Sequence, residues 1–274
     1  MEFRTPVEIP RPPFQIEPLE EMLFVGSCFA DSIGRCFSEE QFGTTVNPFG
    51  TMYNPASVLH TIERLTADKE PSDRRLVAFL TLGTNHVYRL KATGEIVDNC
   101  QKRPQNLFQE EELTIDACAD YLRQAVSLLA AHWREVHVVL TVSPIRYRKY
   151  GFHESQLSKA TLLLAVNEVV KSSSLISQPS SLSYFPAYEI VLDELRDYRF
   201  YADDMLHPSS QAVEYIWQQL EAHYFSPRTR QFLQEWAPLK KALAHHPFHP
   251  DSPDYLQFKE KTEAAVAQLL ARYA

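Results

Sequence analysis

Glycine is scarce in this chain, seven in 274 residues, and no glycine-rich stretch of the kind that cradles phosphate is present. Nucleotide-type cofactors are therefore not called for, and no cofactor is expected. Cysteine is equally sparse: Cys28, Cys36, Cys100 and Cys118 show no C-x-x-C spacing, which argues against a structural zinc site and against a disulfide framework. Positive charge is in deficit, with 27 basic against 35 acidic residues and a formal net charge of -8, so a general nucleic-acid binder, which needs a basic face, is disfavoured. No apolar run approaches the ~18 residues that span a bilayer. The first dozen residues, with Glu2, Pro6, Pro10 and Pro12, lack the basic end and apolar stretch of a signal peptide, so the expected location is a reducing cytoplasm. Internal repeats are missing too, and nothing speaks to oligomeric state.

What is present can build a sizeable core: 45% of residues are hydrophobic and 12% aromatic, enough for one large domain with an appendage. The apolar run at 22–25 reads as a buried strand, followed by a helix at about 29–41. Asn54-Pro55 looks like an N-cap with proline at the first helical position. Residues 76–82 are strand-like, and 87–90 with 95–97 suit a hairpin. From Thr114 the apolar positions Cys118, Leu122, Ala125, Leu129 and Trp133 recur at helical spacing. A β-branched run at 136–142 reads as a central strand, 155–171 as a helix, 183–190 as a strand and 209–224 as a helix. Such alternation favours a parallel sheet covered by helices on both faces. The chain after Ser226 reads as wholly helical, broken by His246-Pro247-Phe248-His249-Pro250.

The first strand stops at Gly26 and passes straight into a helix, which puts Ser27 and Cys28 at the carboxyl edge of a sheet, where sites of open α/β sheets lie. A helix start favours a thiolate or a forming oxyanion. Taken alone, the tripeptide is as readily a buried turn, and it needs partners. One is supplied by Asp203-Asp204-Met205-Leu206-His207-Pro208: three residues separate Asp204 from His207, a spacing over which a carboxylate in a turn can reach the imidazole Nδ1 and hold its tautomer.

These residues carry a family resemblance. Phe24-Val25-Gly26-Ser27-Cys28-Phe29-Ala30 resembles the signature of the GSCFA family, which is similar to the SGNH (GDSL-type) esterases. The likeness continues through Asn47-Pro48-Phe49-Gly50, Tyr53-Asn54-Pro55, Thr81-Leu82-Gly83-Thr84, Asn99-Cys100, Ser143-Pro144, Ser158-Lys159 and 204–208. It covers about the first 220 residues and implies a three-layer α/β/α sandwich with a mostly parallel sheet over 1–225, on which the helical stretch at 226–274 is expected to pack as an extension. It implies further that a nucleophile from the first motif works with His207 and Asp204, with oxyanion donors from the nucleophile's own backbone, from Gly50 and from Asn85. Arg146-Tyr147 and Asn99-Cys100-Gln101 stand where the family pattern leads one to expect histidine.

In the superfamily frame Gly26 and Gly34 put Cys28 in the nucleophile slot, and Ser27 takes it if the turn shifts by one residue. A Cys-His-Asp set is chemically sound because sulfur is intrinsically nucleophilic and a helix start lowers the thiol pKa. His245, His246 and His249 lack the spacing of metal motifs, so no metal is expected. The aromatic segment of Tyr184, Phe185, Tyr188, Tyr198, Phe200 and Tyr201 reads first as core and second as a pocket for a sugar or acyl chain, and Arg146, Arg148 and Lys149 read first as a solvated turn and second as a site for an anionic substrate group. The leading expectation is an esterase or acyltransferase acting on a small acyl ester, acetyl among them, of a carbohydrate or metabolite through an acyl-enzyme. Two rivals stay open: a non-catalytic module that holds a glycan or partner in the same cleft, and a thioesterase acting on a carrier. Whether Cys28 or Ser27 faces His207 separates enzyme from module.

Overall fold

A computed structural model describes residues 4–67, 69–98, 100, 103–172, 176–177 and 180–274. Asn99 and Gln101, part of the resemblance, lie outside the described residues.

Five strands, β1 (Glu21–Gly26), β2 (Gly43–Val46), β3 (Ser72–Leu82), β7 (Trp133–Val142) and β8 (Ser181–Tyr184), form one sheet in the order β2-β1-β3-β7-β8, and every pairing is parallel. Residues 22–25 and 136–142 thus lie in one parallel sheet, as expected, with β3 between them. Successive side chains of a strand point to opposite faces. Along β1, Met22 and Phe24 enter one core while Leu23 and Val25 enter the other. A strand buried on both sides must be apolar throughout, which is why it reads as a continuous run rather than an alternation.

Helices α1 (Cys28–Glu39) and α6 (Ser210–Tyr224) cover the first face, and α2 (Pro55–Thr66), α3 (Ile115–His132) and α4 (Phe152–Lys171) the second, giving three layers. Asn54, Thr114 and Ser209 start α2, α3 and α6 as side-chain caps, and Pro55 occupies the first turn of α2. On the first face Phe37 is fully buried among the rings of Phe24, Phe42, Phe79, Trp217 and Phe225. Truncating such a ring to alanine costs about 3–5 kcal/mol.

Three sequence expectations are corrected. The expected strand at 183–190 stops at Tyr184: Pro186 offers no N–H, and α5 (Ala187–Glu189) runs on as a wide turn, Ile190–Leu195, that buries Ala187, Ile190, Val191 and Leu195 at helical spacing. Trp133 does not end the α3 face. It opens β7, paired with Ser72, because α3 closes at His132. The hairpin of β4 (His86–Leu90) and β5 (Ile96–Val97) forms, but β6 (Phe108–Glu112) joins it to make a separate antiparallel sheet in the order β5-β4-β6. Its Gln109–Glu112 stretch is too acidic to read as a strand.

The C-terminal stretch forms α7 (Pro227–Leu243) and α8 (Pro253–Tyr273), which share a small core of Phe232, Trp236, Leu269 and Tyr273. Trp236 Nε1 donates to the Glu39 carbonyl at 3.2 Å and Lys240 reaches Glu39 and Glu40, fastening α7 to the end of α1. His245, His246 and His249 lie exposed between α7 and α8. Among the described residues no helix is long and apolar enough to cross a membrane.

Candidate active site

Everything of chemical interest gathers where β1, β3 and β7 end. At Gly26 the backbone takes φ 150°, and a Cβ there would sit 2.1 Å from the Thr81 carbonyl oxygen. Only glycine fits. The chain then turns into α1. Ser27 is its N-cap: its N–H donates to Thr81 O at 3.1 Å, its Oγ accepts from Phe29 N at 3.3 Å, and it is 1% exposed. Cys28, one residue on, is the first residue of the helix and lines a cleft of about 240 Å³.

Across that cleft Cys28 Sγ lies 3.2 Å from His207 Nε2, and His207 Nδ1 lies 2.5 Å from Asp204 Oδ2. The other carboxylate oxygen of Asp204 accepts from the N–H groups of Leu206 at 2.8 Å and His207 at 3.0 Å. Those two amides, with the imidazole, hold the Asp204 carboxyl down to about 2. Ionised, Asp204 can only accept, so Nδ1 carries a proton toward it, and when the ring holds that proton alone Nε2 is the acceptor that faces the Cys28 thiol. The loop is tied down from outside by the Arg146 N–H, which donates to Leu206 O at 3.0 Å. Asp203 is exposed.

Burial pushes the Cys28 thiol above its ordinary value, and Asp31 adds to the rise, while its own N–H and a hydrogen bond from Tyr53 oppose it. The lowering expected from a helix start does not prevail, because the half-buried sulfur loses more hydration than one amide returns. Burial thus favours the thiol over the thiolate at Cys28, 3.2 Å from His207 Nε2. Burial also lifts Cys36 to about 11 and Cys118 to about 12.

Two expected oxyanion donors are not brought to the cleft. The Gly50 N–H closes an exposed turn on Asn47 O at 2.8 Å. Asn85 is buried, with Nδ2 donating to Leu113 O at 2.9 Å and its N–H to Ser158 Oγ at 3.0 Å, so it pins the β3–β4 connection to the start of α3. Neither residue lines the cavity that holds Cys28.

Two residues with direct bearing on the site were quoted from the sequence without a role. Tyr53 lines the same cleft as Cys28, and burial together with that neighbour pushes its phenol up to about 12, so it is a donor at neutral pH. Its proximity to a family motif was the available signal. Lys159 is 2% exposed, and its ammonium donates to Gly83 O at 2.6 Å and to Ser143 O at 2.8 Å, the carbonyls of two residues that line the cleft. Burial pulls it down to about 7. A lysine inside an otherwise apolar helix face was the clue in the sequence. Among the described residues no group of three or more His, Cys, Asp or Glu is placed to hold a metal ion.

Fold and site together define an α/β protein that presents a thiol–imidazole–carboxylate chain at the carboxyl edge of a parallel sheet. The GSCFA family model matches residues 21–79 and 73–220, and that of the GSCFA domain protein C-terminal domain matches 236–274. The chain belongs to the GSCFA family. Comparison with curated proteins finds no match. Among solved structures it is similar to a carbohydrate esterase family 3 protein from Talaromyces cellulolyticus, at 11% identity and TM-score 0.43 over 79% of this chain and 99% of that one. It is also similar to the acetylxylan esterase Axe2 from Geobacillus stearothermophilus, at 11% identity and TM-score 0.43 over 78% of this chain and 100% of that one.

Proposed function

We propose that the protein is an esterase or acyltransferase that takes a small acyl group, acetyl among them, from an ester of a carbohydrate or metabolite through a thioester on Cys28. The observation that carries the reading is the unbroken chain Cys28 Sγ to His207 Nε2 at 3.2 Å and His207 Nδ1 to Asp204 Oδ2 at 2.5 Å. Nucleophile and base within hydrogen-bond reach, the base oriented by a third group, is the arrangement that activates a weak nucleophile. In this reading sulfur stands where GDSL-type esterases place a serine hydroxyl.

His207 Nε2 takes the thiol proton as sulfur attacks the ester carbonyl, forming a C–S bond and a tetrahedral oxyanion. Two donors border the sulfur. One is the Cys28 N–H, which as the first amide of a helix has no intrahelical acceptor, and the other is the Tyr53 hydroxyl. Collapse breaks the C–O bond, and the alcohol leaves with the proton from His207. Water, or an acceptor alcohol, then gives its proton to His207 and attacks the thioester. The second collapse releases acid or new ester and returns the proton to sulfur. A cleft of about 240 Å³ suits a small acyl group better than a long chain.

Ser27 as nucleophile is disfavoured by its burial and by its use as the α1 cap. A purely binding module is disfavoured because it has no use for a thiol aligned on an oriented imidazole. The test is to incubate the protein with 4-nitrophenyl acetate, quench in acid and map the acetyl adduct by mass spectrometry. The adduct is expected on Cys28 and absent from Cys28→Ala. An adduct on Ser27, or no adduct and no release of nitrophenol, overturns the reading.

A further inference from the structure

The protein is acidic overall, yet the wall of the Cys28 cleft formed after β7 carries Arg146, Arg148 and Lys149, and no carboxylate is among the described residues that line that cleft. The three are not equivalent. Lys149 donates to both carboxylate oxygens of Glu110 and to the Tyr150 hydroxyl, so its charge and its three N–H groups are engaged. Arg148 is exposed on a short turn and has no acidic partner among the described residues. Arg146 has none either, but it is held in place: Nη1 donates to Met205 O at 3.0 Å, and its guanidinium lies 4.0 Å from the Phe152 ring and 5.4 Å from that of Tyr201. One N–H of five is used by that bond, which leaves the rest of the fork free for a planar anion.

Arg146 also lines a second cavity of about 220 Å³, beyond the first, together with Tyr198 and Tyr201. Tyr198 is 66% exposed, so the ring that borders this cavity is open to a ligand. Asp197, on the far side of that cavity, is occupied as the cap of the Arg199 N–H at 2.9 Å. The basic turn and the aromatic segment meet at one guanidinium that borders both cavities.

We propose that Arg146 and Arg148 form an anion subsite, and that Tyr198 and Tyr201 flank it as a platform for a ring, so that the substrate is an acyl ester of an acidic sugar. The acyl group sits on Cys28, and the alcohol part crosses Arg146 with its carboxylate or phosphate on the guanidinium groups. This rests on the acyl-transfer reading of Cys28 and specifies its substrate class.

Alkylation of Cys28 tests the subsite without a turnover substrate. Iodoacetate and iodoacetamide both form an S–C bond at the thiolate and release iodide; they differ in that one carries a carboxylate. The ratio of iodoacetate to iodoacetamide rates at Cys28 is expected to exceed that of free N-acetylcysteine by about tenfold, the weight of one charge-assisted hydrogen bond. It should fall toward the free-cysteine ratio in Arg148→Gln, whose side chain makes no structural contact that the fold depends on, further in Arg146→Gln, and with added salt. Lys261→Gln, on exposed α8, should leave it unchanged. A ratio equal to that of free cysteine, with iodoacetamide still labelling Cys28, overturns the subsite and leaves the thiol reading standing. Labelling of Cys28 by neither reagent removes both. The kcat/KM values for an acetylated methyl glucuronide and an acetylated sugar phosphate, each against the acetylated neutral glycoside, then separate a carboxylate from a phosphate source. Preference for the neutral ester over both overturns the proposal.

Discussion

The ammonium of Lys159 lies 2.6 Å from the carbonyl oxygen of Gly83, beneath the floor of the Cys28 cleft. The bond is one link of a longer path. The N–H groups of Gly83 and Thr84 donate to the Tyr53 carbonyl at 2.8 and 2.9 Å, and Tyr53 lines the cleft with Cys28. Ser158 accepts from the Asn85 N–H and shares a hydrogen bond with Thr84. The pair Ser158 and Lys159 on α4 therefore sets the β3 end, and through it the tyrosine that faces the sulfur.

Lys159 should leave a mark on stability. Its pKa is drawn from a usual 10.5 to about 7 by burial, so between those values the unfolded chain binds more protons than the folded one. Stability then rises with pH across that window, and the burial penalty is full below about pH 7. Urea unfolding from pH 7 to 10 should show a gain on the order of a few kcal/mol that is missing in Lys159→Met. Parallel curves for the two proteins would contradict this.

Tyr53→Phe removes a hydroxyl and little else. If that hydroxyl faces the oxyanion, kcat on 4-nitrophenyl acetate should drop by about 10²-fold with KM nearly unchanged. The same bond holds the Cys28 thiol down, so the pH at which iodoacetamide labels Cys28 half-maximally should move up in the variant. An unmoved titration would mean that the phenol does not act on the sulfur.

Asp204→Asn and Asp203→Asn form a matched pair. Asparagine at 204 can present an N–H to His207 Nδ1 and favour the wrong tautomer, and about a 10⁴-fold loss in kcat is the scale for that fault. Asp203→Asn should stay within a few-fold of the parent. Because Asp204 is held at about 2, it stays ionised through mild acid, so activity lost in that range is not expected to come from Asp204. Equal losses in the two variants would undo the assignment.

Ser27→Ala should cost about 1 kcal/mol through loss of the α1 cap while acetylation of Cys28 persists. Thermal unfolding and adduct mapping read the two effects separately. A Ser27→Ala protein that folds normally and no longer takes acetyl would return the nucleophile role to the serine.

Much of this was legible in the chain. The strands at 22–25 and 136–142, the caps at Asn54 and Thr114 and the breaker at 246–250 all follow local rules, in which a few neighbouring side chains decide the backbone. The Asp204-x-x-His207 contact was legible for the same reason, since a turn of four residues contains both partners and the amides that hold them. Strand β6 was hidden because its glutamates face water on a small outer sheet, where pairing to β4 rather than burial keeps the strand extended.

By itself, then, the sequence determined that a parallel sheet would end in a glycine turn carrying Ser27 and Cys28, and that an oriented histidine would stand at Asp204. Only the tertiary structure decided which of the two side chains meets His207: Ser27 borders the same cleft but gives its Oγ to the α1 cap, and Cys28 Sγ is the atom 3.2 Å from His207 Nε2. It likewise decided that Gly50 and Asn85 give their donors to Asn47 and Leu113, and that Lys159 and Tyr53 reach the site instead. The physical reason is plainest for Asn85 and Lys159. Every buried N–H and ammonium must find an acceptor, and which acceptor lies within 3 Å depends on elements up to 76 residues apart in the chain.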